Sequence, residues 1–441
     1  MLASVRSKGC STKLILRLAL PNIISNITVP LLSLVDIALA GHMGQTSAIG
    51  AVAVAATITN TVYWLFGFLR LGTTGFVAQA YGRSDVQSIC LHLGRGIVLC
   101  IACTTGILLL SPLFSQFASV IGNQQQIINQ AQRYIQLVFL GAPAVLGCYV
   151  LNGFFVGMQN TRAPMIAAIV TNVINMVGSF LFVRYLQWGV VGLATGTVIA
   201  QYCNLLLLVY LAIRYHGRVL SFLNRNHFCE RKGYTLYLSV GRDLFFRSIM
   251  LSGVTLFFTY GGTNQGEVTI AANTSLMQLF NLFSYFMDGF AYAGEALSGR
   301  YVGMHRPDLL RSLIHKLFTI GFFLASTASA LYLLLPHYFL SLLSNQPQIV
   351  EKALSYRYWV ALIPLVGFAA FLWDGIYVGT TQSRRLMISM GVATLVFFIL
   401  YFAFVPYMGG DALWLAFDSY LLVRGVAQTL LHQPQFNTHR L

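Results

Sequence analysis

The sequence predicts an all-α integral membrane protein with about twelve transmembrane helices in two pseudo-symmetric six-helix lobes. Three observations support this prediction: the composition, the length of the apolar segments and an internal repeat. Of the 441 residues, 57% are hydrophobic and only 9% are charged. Because a soluble domain carries about 25% charged residues, this chain has too few to cover a water-facing surface.

Twelve apolar segments are long enough to cross a membrane, since a helix needs about 20 apolar residues to span the hydrocarbon core. They lie near residues 14–39, 48–72, 91–114, 134–157, 165–187, 190–213, 243–261, 268–297, 313–335, 354–379, 386–405 and 412–431. The first segment has no small-residue cleavage site after it, so we interpret it as an uncleaved helix and not as a signal peptide.

The formal charge of +15 follows from the connections between these segments. With both termini in the cytoplasm, most Lys and Arg residues fall on cytoplasmic connections, and the connection at 214–242 holds six of them. Positive residues accumulate on the cytoplasmic side of membrane proteins and set their orientation. We therefore expect a multi-pass protein of the plasma (inner) membrane with cytoplasmic termini, and the basic charge does not indicate a nucleic-acid partner.

The internal repeat relates the two halves of the chain. N-G-F-F-V-G-M-Q-N-T-R-A-P-M at 152–165 is echoed by D-G-I-Y-V-G-T-T-Q-S-R-R-L-M at 374–387. We expect an N-lobe at 1–213, a cytoplasmic linker at 214–242 and a C-lobe at 243–441. Transporters are commonly built from such repeats, with the substrate path at the repeat interface.

Acidic residues lie inside several of the apolar segments: Asp36, Asp288, Glu295 and Asp374. Asp288 and Glu295 are seven residues apart and so share one side of a helix. An ionisable group inside a membrane is costly and usually faces a cavity in which it functions. Such an acid can exchange a proton between the two sides or bind a cation. The alternative is a structural network, in which acids and amides hydrogen-bond to hold helices together.

Further intramembrane polar residues accompany these acids. Neutral oxygen donors suited to a site around Asp36 lie on the fifth and sixth segments, at Asn172, Asn175, Ser179 and Thr197, and Tyr292 extends the polar stripe of the eighth segment. We expect Arg70 to neutralise one of the acids and Arg247 to extend towards the cytoplasmic edge.

Five stretches in order resemble the multidrug and toxic compound extrusion (MATE) family, and closely its DinF (DNA-damage-inducible protein F) branch. They read L-A-L-P-N-I-I-S-N-I-T-V-P-L-L-S-L-V-D, F-L-R-L-G-T-T-G-F-V-A-Q-A-Y-G, M-D-G-F-A-Y-A-G-E-A-L-S-G, W-D-G-I-Y-V-G-T-T and A-L-W-L-A-F. The resemblance implies two six-helix lobes around a cavity that opens alternately to each side, and export of cationic, amphiphilic compounds in exchange for H⁺ or Na⁺.

The resemblance also implies roles for individual residues. Asp36 matches the family's coupling aspartate, Pro21 matches a proline proposed as a bending point, and the coupling partners fall at Asn175, Ser179 and Thr197. Many relatives carry an acid or Asn at the position of Ser179, and the missing carboxylate favours H⁺ over Na⁺. The span-7 acid of another branch has no match, which leaves Asp288, Glu295 and Asp374 as candidate acids of the C-lobe.

The resulting expectation is a cation-coupled secondary antiporter, with H⁺ favoured, that acts as a monomer and needs no cofactor beyond the transported ion. The alternative is a flippase for lipid-linked precursors, which the mainly acidic deep charges disfavour. HExxH, GxSxG and DDxxD-type motifs are absent from the sequence, so we do not expect an enzyme.

Overall fold

The computed structural model describes residues 10–41, 46–121, 124–222, 231–263, 266–344 and 346–432, with the backbone alone at 29–41, 46–47, 121, 231–232 and 262–263. Within these ranges the chain forms helices and short connections, with no β-strand. The predicted all-α class is therefore confirmed.

Seventeen helices lie in the described residues. They are α1 (Thr12–Gly41), α2 (Thr46–Leu65), α3 (Phe68–Arg83), α4 (Val86–Gln116), α5 (Ala118–Ile121), α6 (Gln125–Phe139), α7 (Ala142–Gly157), α8 (Arg162–Phe180), α9 (Gly189–Leu220), α10 (Arg231–Thr263), α11 (Glu267–Gly303), α12 (Pro307–Leu334), α13 (Pro336–Leu343), α14 (Pro347–Ser355), α15 (Arg357–Gly379), α16 (Ser383–Met408) and α17 (Asp411–Leu431). A π-helical turn, Leu181–Tyr185, continues α8. Each predicted span therefore coincides with a helix or with two consecutive helices.

Eight of the described helical segments are long and apolar enough to cross a membrane. A ninth is the pair α6 and α7, which is bent by 50° at its break. Helices α11 and α17 fall outside this set, and both carry buried polar residues, such as Glu295 and Asp418. Both side chains face protein, as intramembrane polar groups generally do.

The chain divides into two compact units: the N-unit comprises residues 24–241, and the C-unit comprises residues 242–441 together with Met1–Ile23. Helices α1 and α10 contribute residues to both units. The limits given above for the two lobes and their linker remain a prediction.

Glycines that are related by the repeat make the same kind of helix contact in each unit. A Cβ atom at Gly153 of α7 would lie 2.5 Å from a backbone oxygen of α3, and one at Gly157 would lie 3.0 Å from a backbone nitrogen of that helix. In the C-unit, a Cβ at Gly375 of α15 would overlap a backbone oxygen of α11, and one at Gly379 would lie 2.9 Å from a backbone nitrogen. Small residues four apart allow helices to approach this closely, so the two halves share one packing arrangement.

Aromatic packing holds α17 inside the C-unit. Trp414 lies edge-on to Phe258 of α10 with ring centroids 4.8 Å apart, and its Nε1 donates a hydrogen bond to Oδ1 of Asn273 at 3.1 Å. Phe417 also packs against Phe258, at 5.1 Å. Edge-to-face pairs of this kind add to the free energy of burial, and they fix the helix that carries Asp418 and the arginine described below.

Candidate functional site

A polar cluster between α8 and α9 joins three residues that the sequence analysis selected. Asn175 and Ser179 are buried on α8, and Asn175 Nδ2 donates to Oγ1 of Thr197 at 3.2 Å. The Thr197 hydroxyl donates in turn to the Leu193 carbonyl at 3.0 Å. The helices approach closely here, since a Cβ at Gly196 would lie 2.9 Å from Ser179 Oγ. The structure thus brings Asn175, Ser179 and Thr197 into one cluster.

Two oxygen atoms of this cluster have no hydrogen-bond partner among the described residues. Asn175 Oδ1 and Ser179 Oγ are both enclosed, and neither makes a hydrogen bond there. Leaving a buried polar atom unsatisfied costs about 1–3 kcal/mol, and such atoms call for a physical explanation. A partner from an undescribed side chain, or a bound ion, would supply one.

Helix α1 runs beside this cluster. Asn172 Nδ2, one turn before Asn175 on α8, donates to Oγ1 of Thr28 at 2.9 Å. Position 36 lies eight residues beyond Thr28, which is about 12 Å along the helix axis. The Asp36 side chain lies outside the described residues, so its predicted contacts remain a prediction.

Pro21 and Arg70 are placed in helices as expected. Pro21 is buried within α1, and the division between the two units falls two residues later, between Ile23 and Ile24. Arg70 is half-buried on α3, and its carbonyl accepts from Thr74 Oγ1 at 2.9 Å. The hinge role of Pro21 and the neutralising role of Arg70 remain predictions.

A second polar cluster lies in the C-unit around Asp374 of α15. Arg247 of α10 and Arg424 of α17 both form ion pairs with Asp374 Oδ2, and Gln428 Nε2 donates to Oδ1 at 2.7 Å. The Asp374 side chain is 14% exposed and that of Arg424 is 3% exposed. Arg424 also lies over the Phe371 ring, 5.8 Å from its centroid. The carboxylate is therefore enclosed by two cations and an amide.

Arg247 does not extend into water, which differs from the expectation for this side chain. Its side chain is 11% exposed and is paired with Asp374 inside the unit. The buried carboxylate compensates the charge of the guanidinium there, and the Arg247 Nε makes no hydrogen bond to a described residue.

The other C-lobe candidates lie on α11. Glu295 is buried, whereas Asp288 and Tyr292 are half-buried. Asp288 lies within electrostatic range of Arg424 and of Tyr285. Asp288 is thus near the cluster around Asp374, and the coupling roles suggested for all three acids remain predictions.

Three functional candidates on α17 were not predicted from the sequence: Asp418, Arg424 and Gln428. Arg424 and Gln428 are four residues apart and so project from one face of the helix. That spacing, within an otherwise apolar segment, was a usable signal for a polar site. Asp418 is buried at 3% exposure in the same helix.

Comparisons with known proteins agree with this architecture. The MatE family model matches residues 21–181 and again residues 244–403, which together exceed half of the chain. The chain is 36% identical over 421 residues to the DNA damage-inducible protein F of Escherichia coli, covering 95% of this chain and 91% of that protein. It is 22% identical to the probable multidrug resistance protein NorM of Thermotoga maritima, covering 77% of this chain and 74% of that protein.

Solved structures show the same fold. The outward-facing conformation of a multidrug resistance MATE family transporter superposes with a TM-score of 0.87 at 19% identity, covering 95% of this chain and 94% of that one. A MATE structure in the bent conformation gives the same values. With a family model matched in both halves and a relative similar along nearly its whole length, the chain belongs to the MATE family of membrane transporters.

Proposed function

We propose that this transporter is a proton-coupled antiporter that exports cationic, amphiphilic compounds by alternating access. The observation that carries the proposal is the pair of unsatisfied buried oxygens, Asn175 Oδ1 and Ser179 Oγ, beside the helix that contains Asp36.

The position of Asp36 along α1 supports this assignment. In the predicted topology α1 and α8 are the first and fifth spans and cross the membrane in the same direction. Ser179 lies seven residues beyond Asn172, about 10 Å along α8, and position 36 lies a similar distance beyond Thr28. Because Asn172 and Thr28 are hydrogen-bonded, position 36 falls at about the level of Ser179.

The chemistry of the two oxygens suits a carboxyl group that gains and loses a proton. An amide oxygen such as Asn175 Oδ1 only accepts, so it would bind a protonated Asp36 carboxyl. A hydroxyl such as Ser179 Oγ also donates, so it would stabilise the deprotonated carboxylate. We infer that exchange between these two partners accompanies proton binding and release.

Proton coupling is favoured over sodium coupling by the charge of the cluster. Asn175, Ser179 and Thr197 are all neutral, so Asp36 would be the single carboxylate at this site. Na⁺ must lose its hydration shell on binding, so its affinity depends strongly on the charge of its ligands. The affinity for a proton depends on that charge less, because the proton forms a covalent bond to one oxygen.

The proposed substrates follow from the family and from the intramembrane acids. Two matched proteins carry names that refer to multidrug resistance or extrusion: the probable multidrug resistance protein NorM of Thermotoga maritima and the multidrug and toxin extrusion protein 1 of Danio rerio. Acids such as Asp288 attract cations, and aromatic rings bind flat cations through cation–π contacts. We also propose a monomer in the plasma (inner) membrane with both termini cytoplasmic.

Dye export from proteoliposomes under an imposed pH gradient tests the proposal. Wild type should export a fluorescent cationic dye when the pH gradient is present, and Asp36→Asn should abolish this export. Ser179→Ala should lower it, and Asp308→Asn, which removes an exposed acid, should leave it unchanged.

Two results would contradict this assignment. Equal gradient-driven export by wild type and Asp36→Asn would remove Asp36 from the mechanism. Export that follows an imposed Na⁺ gradient and ignores the pH gradient would exclude proton coupling. Transbilayer movement of a lipid-linked pyrophosphate, without dye export, would instead support the flippase alternative.

A further inference from the structure

Asp418 is a buried acid in the middle of α17 that the proposed function does not use. The residue is 3% exposed, and neither carboxylate oxygen makes a hydrogen bond to any described residue. It lies seven residues from the start of the helix, about 10 Å from that end. The carboxylate is therefore too far from the start of α17 to be stabilised by the backbone N–H groups there.

The contacts of α17 with α15 define where Asp418 lies. At the start of both helices, Trp359 Nε1 donates to Asp411 Oδ1 at 2.7 Å, and further along Arg424 is paired with Asp374. Asp418 lies between these two contacts. A Cβ at Gly367 of α15 would lie 3.9 Å from the Cβ of Leu421, and three residues earlier on each helix this register places Asp418 near the level of Pro364. It shares its side of α17 with Gly425, where an added Cβ would lie 3.2 Å from the Cβ of an alanine on α15.

Pro364 alters the backbone of α15 at this level. Proline has no N–H group, so the carbonyl four residues earlier, at Val360, loses its helical donor. Val360 and Pro364 are both buried. A protonated carboxyl group is a hydrogen-bond donor, and a backbone acceptor of this kind is what a protonated Asp418 would need.

The other charged and titratable groups around α17 do not compensate Asp418. They include Asp411, Tyr420 and Arg424 on α17 itself, Arg357, Tyr358, Asp374 and Tyr377 on α15, Arg384, Arg385, Tyr401 and Tyr407 on α16, Asp243, Arg247 and Tyr260 on α10, and Tyr285, Asp288, Tyr292, Glu295 and Arg300 on α11. None of them donates a hydrogen bond to Asp418. Arg424, the nearest cation along α17, is turned towards Asp374.

An ionised carboxylate without a partner is too costly to bury, and such a group usually becomes neutral by binding a proton. A structural acid would have a partner, as Asp374 does with Arg247 and Arg424. We propose that Asp418 is a proton-binding site of the C-unit, distinct from Asp36, and that it carries a proton in the conformation described here. That this proton takes part in transport rests on the proposed function. The site requires no other reactant, because a proton adds to one oxygen and is released from it.

Infrared difference spectroscopy of the full-length protein in lipid tests the site directly. With ¹³C-labelled aspartate, the carbonyl stretch of a protonated carboxyl group identifies neutral aspartates. We expect wild type at neutral pH to show such a band and Asp418→Asn to lose it. In Asp418→Glu the band should move to the frequency of an unlabelled carboxyl group, because the glutamate carries no label. Asp308→Asn is the matched control and should keep it. A band that Asp418→Asn leaves unchanged, or no band in wild type, would overturn the proposal.

Proton counting in proteoliposomes tests the role in transport. The number of protons exchanged per exported dye should fall in Asp418→Asn and stay at the wild-type value in Asp308→Asn. If the number of protons exchanged per exported dye were the same in Asp418→Asn as in wild type, Asp418 would have no role in transport. If wild type showed no export driven by a pH gradient, the proposed function would fail, while the infrared band would still report whether Asp418 holds a proton.

Discussion

Replacing Asp374 by Asn is the sharpest test of the cluster in the C-unit. The substitution keeps the size of the side chain and leaves an oxygen able to accept the hydrogen bond that Gln428 donates at 2.7 Å. What it removes is the negative charge that Arg247 and Arg424 share. It also places an amide donor opposite both guanidinium groups, so the variant removes the charge and the two hydrogen bonds that Oδ2 accepts, without changing the size of the side chain.

The expected loss of stability follows from the burial of the two cations. The arginine side chains are 11% and 3% exposed, so neither reaches enough water to replace the lost carboxylate. Breaking a buried ion pair by removing one partner typically costs about 3–5 kcal/mol. Because Asp374 serves two guanidinium groups, we expect Asp374→Asn to lower the free energy of unfolding by at least about 3 kcal/mol.

Unfolding in mixed detergent micelles, followed by tryptophan fluorescence, measures this difference. Asp308→Asn is the control, because Asp308 and its partner Arg306 are 56% and 49% exposed, and exposed pairs contribute about 0–1 kcal/mol. A free energy of unfolding for Asp374→Asn within about 1 kcal/mol of wild type would show that the cluster does not stabilise the C-unit. Normal stability combined with lost proton coupling would make Asp374 a coupling acid instead.

Three further predictions concern other positions. Gly375→Ala should strongly reduce folded yield and thermal stability, because its Cβ would overlap a backbone oxygen of α11. Gly253→Ala is the control and should be neutral, since no atom of a neighbouring element lies within 4 Å of the added Cβ. Equal losses in the two variants would refute the close contact. Asp418→Leu should keep or raise the free energy of unfolding, since an apolar residue replaces a buried carboxyl group whose oxygens accept no hydrogen bond from a described residue; a marked loss would show that the protonated carboxyl group donates to a buried acceptor. Asp85→Ala should cost about 1 kcal/mol, because the Asp85 side chain caps α4 by accepting from Ser88 N at 3.0 Å. Burial raises the pKa of Asp85, but the hydrogen bonds from Ser88 and Gln87 and the charge of Arg83 together outweigh this effect and leave the pKa lowered. Its contribution should therefore be complete above the unfolded pKa of about 3.9 and be lost as the pH falls through the folded value, so the wild type and the variant should converge in acid unfolding experiments.

Much of the fold was predictable because its signals are local or periodic. Apolar length specifies the spans, and the repeated glycines specify contacts between α3 and α7 and between α11 and α15, since only a residue without a side chain fits against another backbone. Gly153 and Gly375 occupy the same place in the two repeated stretches, and both lie where a Cβ would meet a neighbouring helix. The bend between α6 and α7 was not predicted, because the apolar pattern continues across it.

The candidate sites were predictable to different degrees. Asn175 and Thr197 were selected together, and they are hydrogen-bonded. The partners of Asp374 were missed, because Arg247 and Arg424 are separated from it by 127 and 50 residues. Such pairings depend on which helices become neighbours, and hydropathy does not specify that. Asp418 was missed because one acid barely changes the apolar character of its helix.

Asp374 and Asp418 show how environment separates two acids of the same type within one unit. Both are enclosed by protein, and each would be costly as an isolated anion. Asp374 is compensated by fixed positive charges from two helices, so protonating it would leave two buried cations without a counterion. Asp418 has no such compensation among the described residues, so a proton is the partner that can make it neutral. Compensation by a fixed cation holds helices together, whereas compensation by a proton can be reversed when the surroundings change. The acids best suited to coupling in this protein are therefore those without arginine partners, and this criterion favours Asp418 over Asp374 in the C-unit.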